Sequence, residues 1–221
     1  MFTLSELEKW RTKSEMWDFY NDIYSRTASN SASTAIARLK HNKTLYKELF
    51  EEYYPLMIFC ELYFKNIDIK CRYVGKSTAK ENSNQKYDGE VLCNDEIIKI
   101  EIVAPRDGQK EKTFAVQLNE SGASDFEMYE LESAFQCIKA QVVESAIKKS
   151  KKSYDGIVLV ICFSDLHLFR IDPTVASGLT LIQKLVIELK AIQYSSPKVF
   201  FLIPPFDKNN AIFGGMIFKI K

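Results

Sequence analysis

Hydrophobic and polar positions alternate along this chain in two distinct rhythms, and the change from one to the other divides it. Up to about residue 65 the apolar positions recur at helical spacing: Leu4 to Tyr24 forms one such segment, TASNSASTA at 27 to 35 reads as a loop or helix start, and Leu45 to Phe64 forms a second segment interrupted by Pro55. From Ile67 to Val74 the period drops to two, the mark of a half-buried strand, and Gly75 to Gln85 is a polar loop without periodicity. Lys86 to Val91 and Ile97 to Val103 alternate again, joined by Cys93-Asn94-Asp95-Glu96, which reads as a hairpin turn. Thr113 to Leu118 is predicted as a further strand after the loop Pro105 to Lys112. Phe126 to Lys149 is predicted as a long helix with Phe135, Ile138, Val142 and Ala146 on one stripe and lysines at its C-terminal end, where the helix dipole favours them. The run IVLVICF within Gly156 to Phe163 predicts a strand buried on both faces. Leu179 to Tyr194 follows as an amphipathic helix, Lys198 to Ile203 as another buried strand ended by Pro204-Pro205, and Ile212 to Ile220 as an edge strand, with Gly214-Gly215 marking a bulge or kink. Helices first, then a β-meander, then alternating β and α predict an α/β fold: a mixed central sheet with an antiparallel β-meander, flanked by helices. One domain over 1–221 is expected, with 1–44 a helical N-terminal extension.

The hairpin carries the sharpest chemistry. With Asn94-Asp95 as the two turn residues, counting outward pairs Glu90 with Lys99, Gly89 with Ile100, and Asp88 with Glu101. Period two places Asp88, Glu90, Lys99 and Glu101 on one face, and Gly89, Val91, Ile98, Ile100 and Ile102 on the other. Like charges directly across an antiparallel pair destabilise it by up to ~1 kcal/mol. A divalent cation between Asp88 and Glu101 would turn that repulsion into a binding site. A solvated outer sheet face explains the alternation equally well, but not the direct opposition of two carboxylates, nor the very apolar later strands that imply cover on both sides.

The net charge of +1 gives no global attraction to nucleic acid, so such binding must come from local patches. Two exist: Lys65, Lys70, Arg72, Lys76, Lys80 and Lys86 against Asp68 and Glu81, and Lys139, Lys148, Lys149, Lys151 and Lys152 against Glu144. Five scattered cysteines without a CxxC pair, and only two histidines, support neither a disulfide framework nor a zinc site. No apolar run reaches the ~20 residues of a membrane span, and the acidic, aromatic start lacks the features of a signal peptide, so a cytoplasmic protein is expected. His167, just after a buried strand, lacks a serine or cysteine partner and reads as structural, and His41 lies in a basic loop segment. No GxxxxGK or GxGxxG motif is present.

The order helix with a glutamate, strand, strand with an Asp-Gly, hairpin, strand with a glutamate, helix and strand resembles the PD-(D/E)xK nuclease superfamily, the restriction-endonuclease-like fold. The resemblance covers roughly residues 45 to 165 and rests on a short motif. Asp88 matches the motif aspartate, preceded by Tyr87 rather than proline, and Glu101 matches the acidic residue of the second motif. The resemblance implies that Asp88, Glu101 and the Ile102 carbonyl hold Mg²⁺ (or Mn²⁺), which activates water for attack on a phosphodiester. It also implies a lysine two residues after Glu101, where this chain has Val103. Lys99, on the same strand face as Glu101, is the expected substitute, with Lys139 on the following helix as the alternative. Glu90 across the hairpin is the competing partner for Lys99. The superfamily often adds a glutamate from the preceding helix. Glu52 and Glu61 are the candidates, but at nine residues apart they lie half a turn out of phase, so only one of them can face the site. Gln136 and Gln141 are positioned to contact a phosphate or base, or else belong to a polar helix flank.

The leading expectation is thus a Mg²⁺-dependent nuclease-like protein hydrolysing phosphodiester bonds of DNA, with a homodimer as the arrangement that would let it cut both strands. The alternative is a catalytically inactive domain of the same fold that binds nucleic acid or a protein partner as a regulator. A third is an unrelated α/β interaction module in which the acidic pair has no ligand.

Overall fold

The computed structural model describes residues 2–28, 45, 48–75, 87–105, 131–163, 176–205 and 215–221. The first helical segment breaks in two: α1 (Leu4–Leu7), a two-residue strand β1 (Arg11–Thr12) and α2 (Lys13–Ala28). The break has a local cause in a T-x-x-E box. The Thr12 N–H donates to Glu15 Oε2 at 2.7 Å, and the Glu15 N–H donates to Thr12 Oγ1 at 3.3 Å, so a new helix starts here. Thr3 and Glu6 repeat the arrangement at α1, where the Thr3 N–H donates to Glu6 Oε2 at 2.7 Å. Pro55 does not end the second segment. A π-helical turn, Glu48–Tyr53, runs directly into α3 (Tyr54–Tyr63), and the wider turn accommodates a proline that cannot donate the usual i→i−4 bond.

The remaining elements are β2 (Lys70–Tyr73), β3 (Gly89–Cys93), β4 (Glu96–Val103), α4 (Leu131–Ser150), β5 (Ile157–Cys162), α5 (Ala176–Lys190), β6 (Lys198–Ile203) and β7 (Met216–Lys219). Among the described residues, seven strands form one sheet in the order of the chain. β1 to β4 are antiparallel neighbours, β5 and β6 join in parallel through α4 and α5, and β7 closes the far edge antiparallel. This is a mixed α/β sheet with an antiparallel meander, flanked by helices. The expected strand at Thr113–Leu118, the polar loop from residue 76 onward, His41, His167 and the start of the long helix lie outside the described residues.

Both faces of the sheet are covered over β4 to β6. On one side Leu7, Met16, Tyr20, Leu49, Tyr53, Leu56 and Phe59 pack on Val91, Ile100, Ile102, Val160 and Phe200. The first 28 residues therefore contribute to a main core layer, through buried Leu7, Met16, Tyr20 and Ile23. On the other side Phe135, Val142 and Ala146 of α4, with Leu181, Leu185 and Leu189 of α5, pack on Val103, Leu159, Ile161, Val199 and Phe201. That double cover explains the unbroken apolar runs of β5 and β6. Among the described residues, no helix is long and apolar enough to cross a membrane.

The hairpin has the register counted from the sequence: Cys93 pairs with Glu96, Glu90 with Lys99 and Gly89 with Ile100. Asn94 and Asp95 both take positive φ, 50° and 64°, as a two-residue turn with the twist of its strands demands. Gly89 is required for packing. A Cβ there would lie 2.5 Å from Leu56 Cδ2, and Leu56 is fully buried in α3. Gly89→Ala is expected to destabilise the protein by about 1–3 kcal/mol through overpacking, read from the urea unfolding midpoint. An unchanged midpoint would mean that α3 does not press on β3 at this point.

Candidate metal centre

The site is built where β3 departs from its ladder. On the β2 side the pairing stays regular, and the Val74 N–H donates to the Asp88 carbonyl at 2.8 Å. On the β4 side Gly89 pairs with Ile100, yet the Asp88 N–H also donates to the Ile100 carbonyl, at 2.8 Å. Two residues of one strand thus oppose one of the other, which is a β-bulge. The one-to-one opposition of Asp88 and Glu101 expected from counting is displaced by that extra residue. In its place the Asp88 side chain turns onto β4, and its Oδ2 accepts the Ile102 N–H at 2.8 Å. In an extended strand a residue's N–H and C=O point to the same edge, so the Ile102 carbonyl faces the side on which Asp88 stands.

Glu101 projects toward α4 and α5 and is buried. Its Oε1 accepts a short hydrogen bond from the Lys149 ammonium at the end of α4, and a second, at 3.3 Å, from the Tyr154 hydroxyl. From the opposite layer Glu52, in the π-helical turn, accepts a 2.5 Å hydrogen bond from the Tyr73 hydroxyl. These groups share one electrostatic field. Burial first, and then the charges of Glu101 and Glu52, push the Asp88 carboxyl up to about 8, against partial relief from the Ile102 N–H and from Lys149. Burial alone would lower Lys149, but the Glu101 charge and hydrogen bond, aided by Tyr154 and Asp88, hold it above its ordinary value. Lys149 therefore stays an ammonium at neutral pH. Burial, then Glu101, raises Tyr154 to about 12, so its hydroxyl remains a donor.

The other sequence candidates separate around this centre. Of the two helical glutamates, Glu52 acts on Asp88, whereas Glu61 lies half-buried in α3, with no described contact to the site. Glu90 is buried, but it is held by Arg72 at 2.7 Å and by the Tyr87 hydroxyl at 2.9 Å, not by Lys99. Lys99 is exposed, with its ammonium 5.0 Å from the centroid of the Tyr87 ring. It is not the ammonium on Glu101. Nor is Lys139, which pairs with Glu188 at 2.5 Å. Gln136 is exposed, and Gln141 has a buried Oε1 without a described partner. Val103, at the position where the resemblance implies a lysine, is buried under α4.

The ammonium that reaches Glu101 is that of Lys149. Because α4 returns from the end of β4 to the start of β5, its last turn lies near the level where Lys99 and Glu101 pair with Ile157 and Leu159. Lys139, ten residues earlier, sits about 15 Å farther along the helix. The basic run at 148 to 152 contained the right residue, but only the helix phase and length pick Lys149 from it.

Comparison with family models, with curated proteins and with solved structures gave no match to this chain. The donor set must speak for itself. Among the described residues, no three of His, Cys, Asp and Glu gather into a ready-made metal cage. Two carboxylates and a carbonyl are too few for a closed zinc or calcium site. They suit Mg²⁺, which keeps several waters and is held by one or two carboxylates together with substrate phosphate. The crowding of Glu101 and Glu52 around Asp88, which with burial keeps its carboxyl protonated, is the feature such a cation would relieve.

Two outcomes follow for the metal-free protein. In the unfolded chain Asp88 titrates near ~3.9, whereas in the fold it keeps its proton up to about 8. Between those values the unfolded state sheds a proton that the folded state retains, so this group's contribution falls as pH rises and levels off above about 8. In chelator, Asp88→Asn is expected to melt above wild type at pH 8–9, with the difference closing toward pH 4. A wild type that is the more stable at pH 8–9 would contradict the crowding of charge. Lys149→Met, which leaves Glu101 buried and unpaired, is expected to cost about 2–3 kcal/mol in urea unfolding. That lies below the ~3–5 of a fully buried pair, because Lys149 keeps 24% of its side chain in solvent.

Proposed function

We propose that this protein is a metal-dependent phosphodiesterase of the PD-(D/E)xK type, with a restriction-endonuclease-like fold, and that it acts on DNA. The observation that carries this reading is the β-bulge that sets the Asp88 carboxylate against β4, beside a Glu101 held by Lys149. Asp88, Glu101 and the Ile102 carbonyl are the groups that would hold Mg²⁺ or Mn²⁺. When bound, the cation polarises the phosphate and lowers the pKa of a coordinated water. The chain's own residues do the rest. Lys149, kept protonated, serves as a fixed positive charge for the phosphate that gathers charge in the transition state, and not as a base. Tyr154 holds Glu101 in place, and Glu52, fixed by Tyr73, adds negative charge behind Asp88 and so favours a cation in front of it. A homodimer is the arrangement we propose for cutting both strands of a duplex.

A second reading is favoured by a specific pair of observations. Val103 is buried where the family places its lysine, and Glu101 already has a cation of its own. Under that reading the domain binds nucleic acid or a protein partner without cutting.

Cleavage of plasmid and oligonucleotide DNA with Mg²⁺ or Mn²⁺ separates the two. Asp88→Asn, Glu101→Gln and Lys149→Met are each expected to lower the cleavage rate by more than about 100-fold, while Lys139→Met, whose ammonium pairs with Glu188 instead, leaves it within about threefold. Cleavage that survives Asp88→Asn would overturn the first reading, and a wild type that binds DNA but cuts none would establish the second.

A further inference from the structure

Beyond the metal centre, the face of the sheet that carries Glu101 continues outward over β3, β2 and β1, and there it is built of rings and cations. Its strand residues beneath α4 and α5 come from β4, β5 and β6 and the chain's last residues, and among the described residues none comes from β1 or β2. The register extends one row across four strands: Arg72 pairs with Glu90 and Glu90 with Lys99, while Trp10 precedes Arg11, the partner of Cys71, and so falls opposite Arg72. Each member of the row is fixed by its neighbour. The Arg72 guanidinium lies 4.8 Å from the Trp10 ring centroid. It bonds Glu90 through two nitrogens, at 2.9 Å and 2.7 Å. The Tyr87 hydroxyl holds the other oxygen of Glu90 at 2.9 Å, and the Lys99 ammonium lies 5.0 Å from the Tyr87 ring. Trp10 is nonetheless 36% exposed, and Lys99 and Lys70, the latter on the same face two residues before Arg72, are exposed.

We infer that this row is a binding platform for single-stranded nucleic acid, leading into the metal centre through Tyr87, the residue before Asp88. The inference rests on the phosphodiesterase reading for its direction, but its physical basis is separate. Trp10 offers an exposed ring of fixed orientation to a base, which stacks on any aromatic face regardless of sequence, while Tyr87, half-buried and packed against the cluster under α4 and α5, fixes the inner end of the row. Lys70 and Lys99 supply positive charge for the backbone, while Arg72 spends its own charge on Glu90 and acts as the positioning residue that holds Trp10. The interstrand spacing sets the reach: from β1 to β3 is about 10 Å, a span that an extended single strand covers in one to two nucleotides. A duplex, whose bases are stacked on each other, has no base faces to give this ring.

The test is fluorescence anisotropy of labelled oligo(dT) and of a labelled duplex, measured in chelator on the full chain carrying Asp88→Asn, so that nothing is cut. Oligo(dT) is expected to bind more tightly than the duplex. Trp10→Ala is expected to weaken it about tenfold or more and Trp10→Phe to recover most of the loss, while Lys70→Glu with Lys99→Glu weakens it further and flattens its salt dependence. Oligo(dT) binding unchanged in Trp10→Ala and in the double lysine variant overturns the inference, as does tighter binding of the duplex. Either of those leaves the phosphodiesterase reading standing, because that reading is judged by metal-dependent cleavage in the protein with Asp88 intact. If cleavage is absent while the Trp10-dependent binding holds, the catalytic reading fails and the platform stands. If Trp10 instead becomes buried in a complex with a second protein that oligo(dT) does not displace, the platform is a protein interface and the inference fails.

Discussion

The structure around the hairpin is organised by one electrostatic constraint: two carboxylates crowd a third carboxyl group, with an ammonium beside them. Asp88 feels Glu101 from its own sheet and Glu52 from the helical layer, and among the described residues Lys149 and the Ile102 N–H offset them. A fold selected for stability alone would have a neutral residue at 88, because each of those charges costs free energy in a half-buried setting. The chain instead spends a β-bulge, a glycine that permits close approach of α3, and the last turn of a long helix on holding the charges together. Such strain against local preference is characteristic of sites where a ligand completes the arrangement.

The layers on either side of the sheet are what make this possible. The π-helical turn and α3 bring Glu52 and the wall of apolar side chains that Gly89 admits, while α4 brings Lys149. Because α4 connects two parallel strands, it must run back along the sheet, and its C-terminal turn falls beside the middle of β4. The lysine therefore reaches Glu101 from the helix layer, while Val103, two residues beyond Glu101 on β4, lies in the core. A protonated Lys149 and a buried Tyr154 fix one oxygen of Glu101, leaving the carboxylate of Asp88 as the group with the most to gain from a cation.

Much of this was legible in the residues, and the rest was hidden for definite reasons. The hairpin register followed from period two and from Asn94-Asp95, because a two-residue turn leaves one pairing that keeps the apolar set on the core side. β5 and β6 followed from β-branched runs too long and too apolar for a half-exposed strand. The bulge did not, since the period-two count in Tyr87-Asp88-Gly89 is the same for a regular pair and for one with an extra residue; only the Asp88 N–H donating to the Ile100 carbonyl beside the Gly89–Ile100 pair reveals it. Lys149 was hidden by helix phase, one lysine among several in a basic run. The break between α1 and α2 was readable in Thr12-x-x-Glu15, a signal that the hydrophobic spacing overrode. Pro55 pointed to an interruption because a proline inside an α-helix costs about 3 kcal/mol, and the π-helical turn removes that conflict.

The central claim is that Asp88, Glu101 and the Ile102 carbonyl form one cation site. Isothermal titration of the 221-residue chain with Mn²⁺ tests it most directly. The account predicts a saturable site in the wild type that is lost in Asp88→Asn and in Glu101→Gln while Lys99→Met retains it. Heat of binding that is unchanged in Asp88→Asn, or no saturable binding in the wild type at millimolar Mn²⁺, would contradict it.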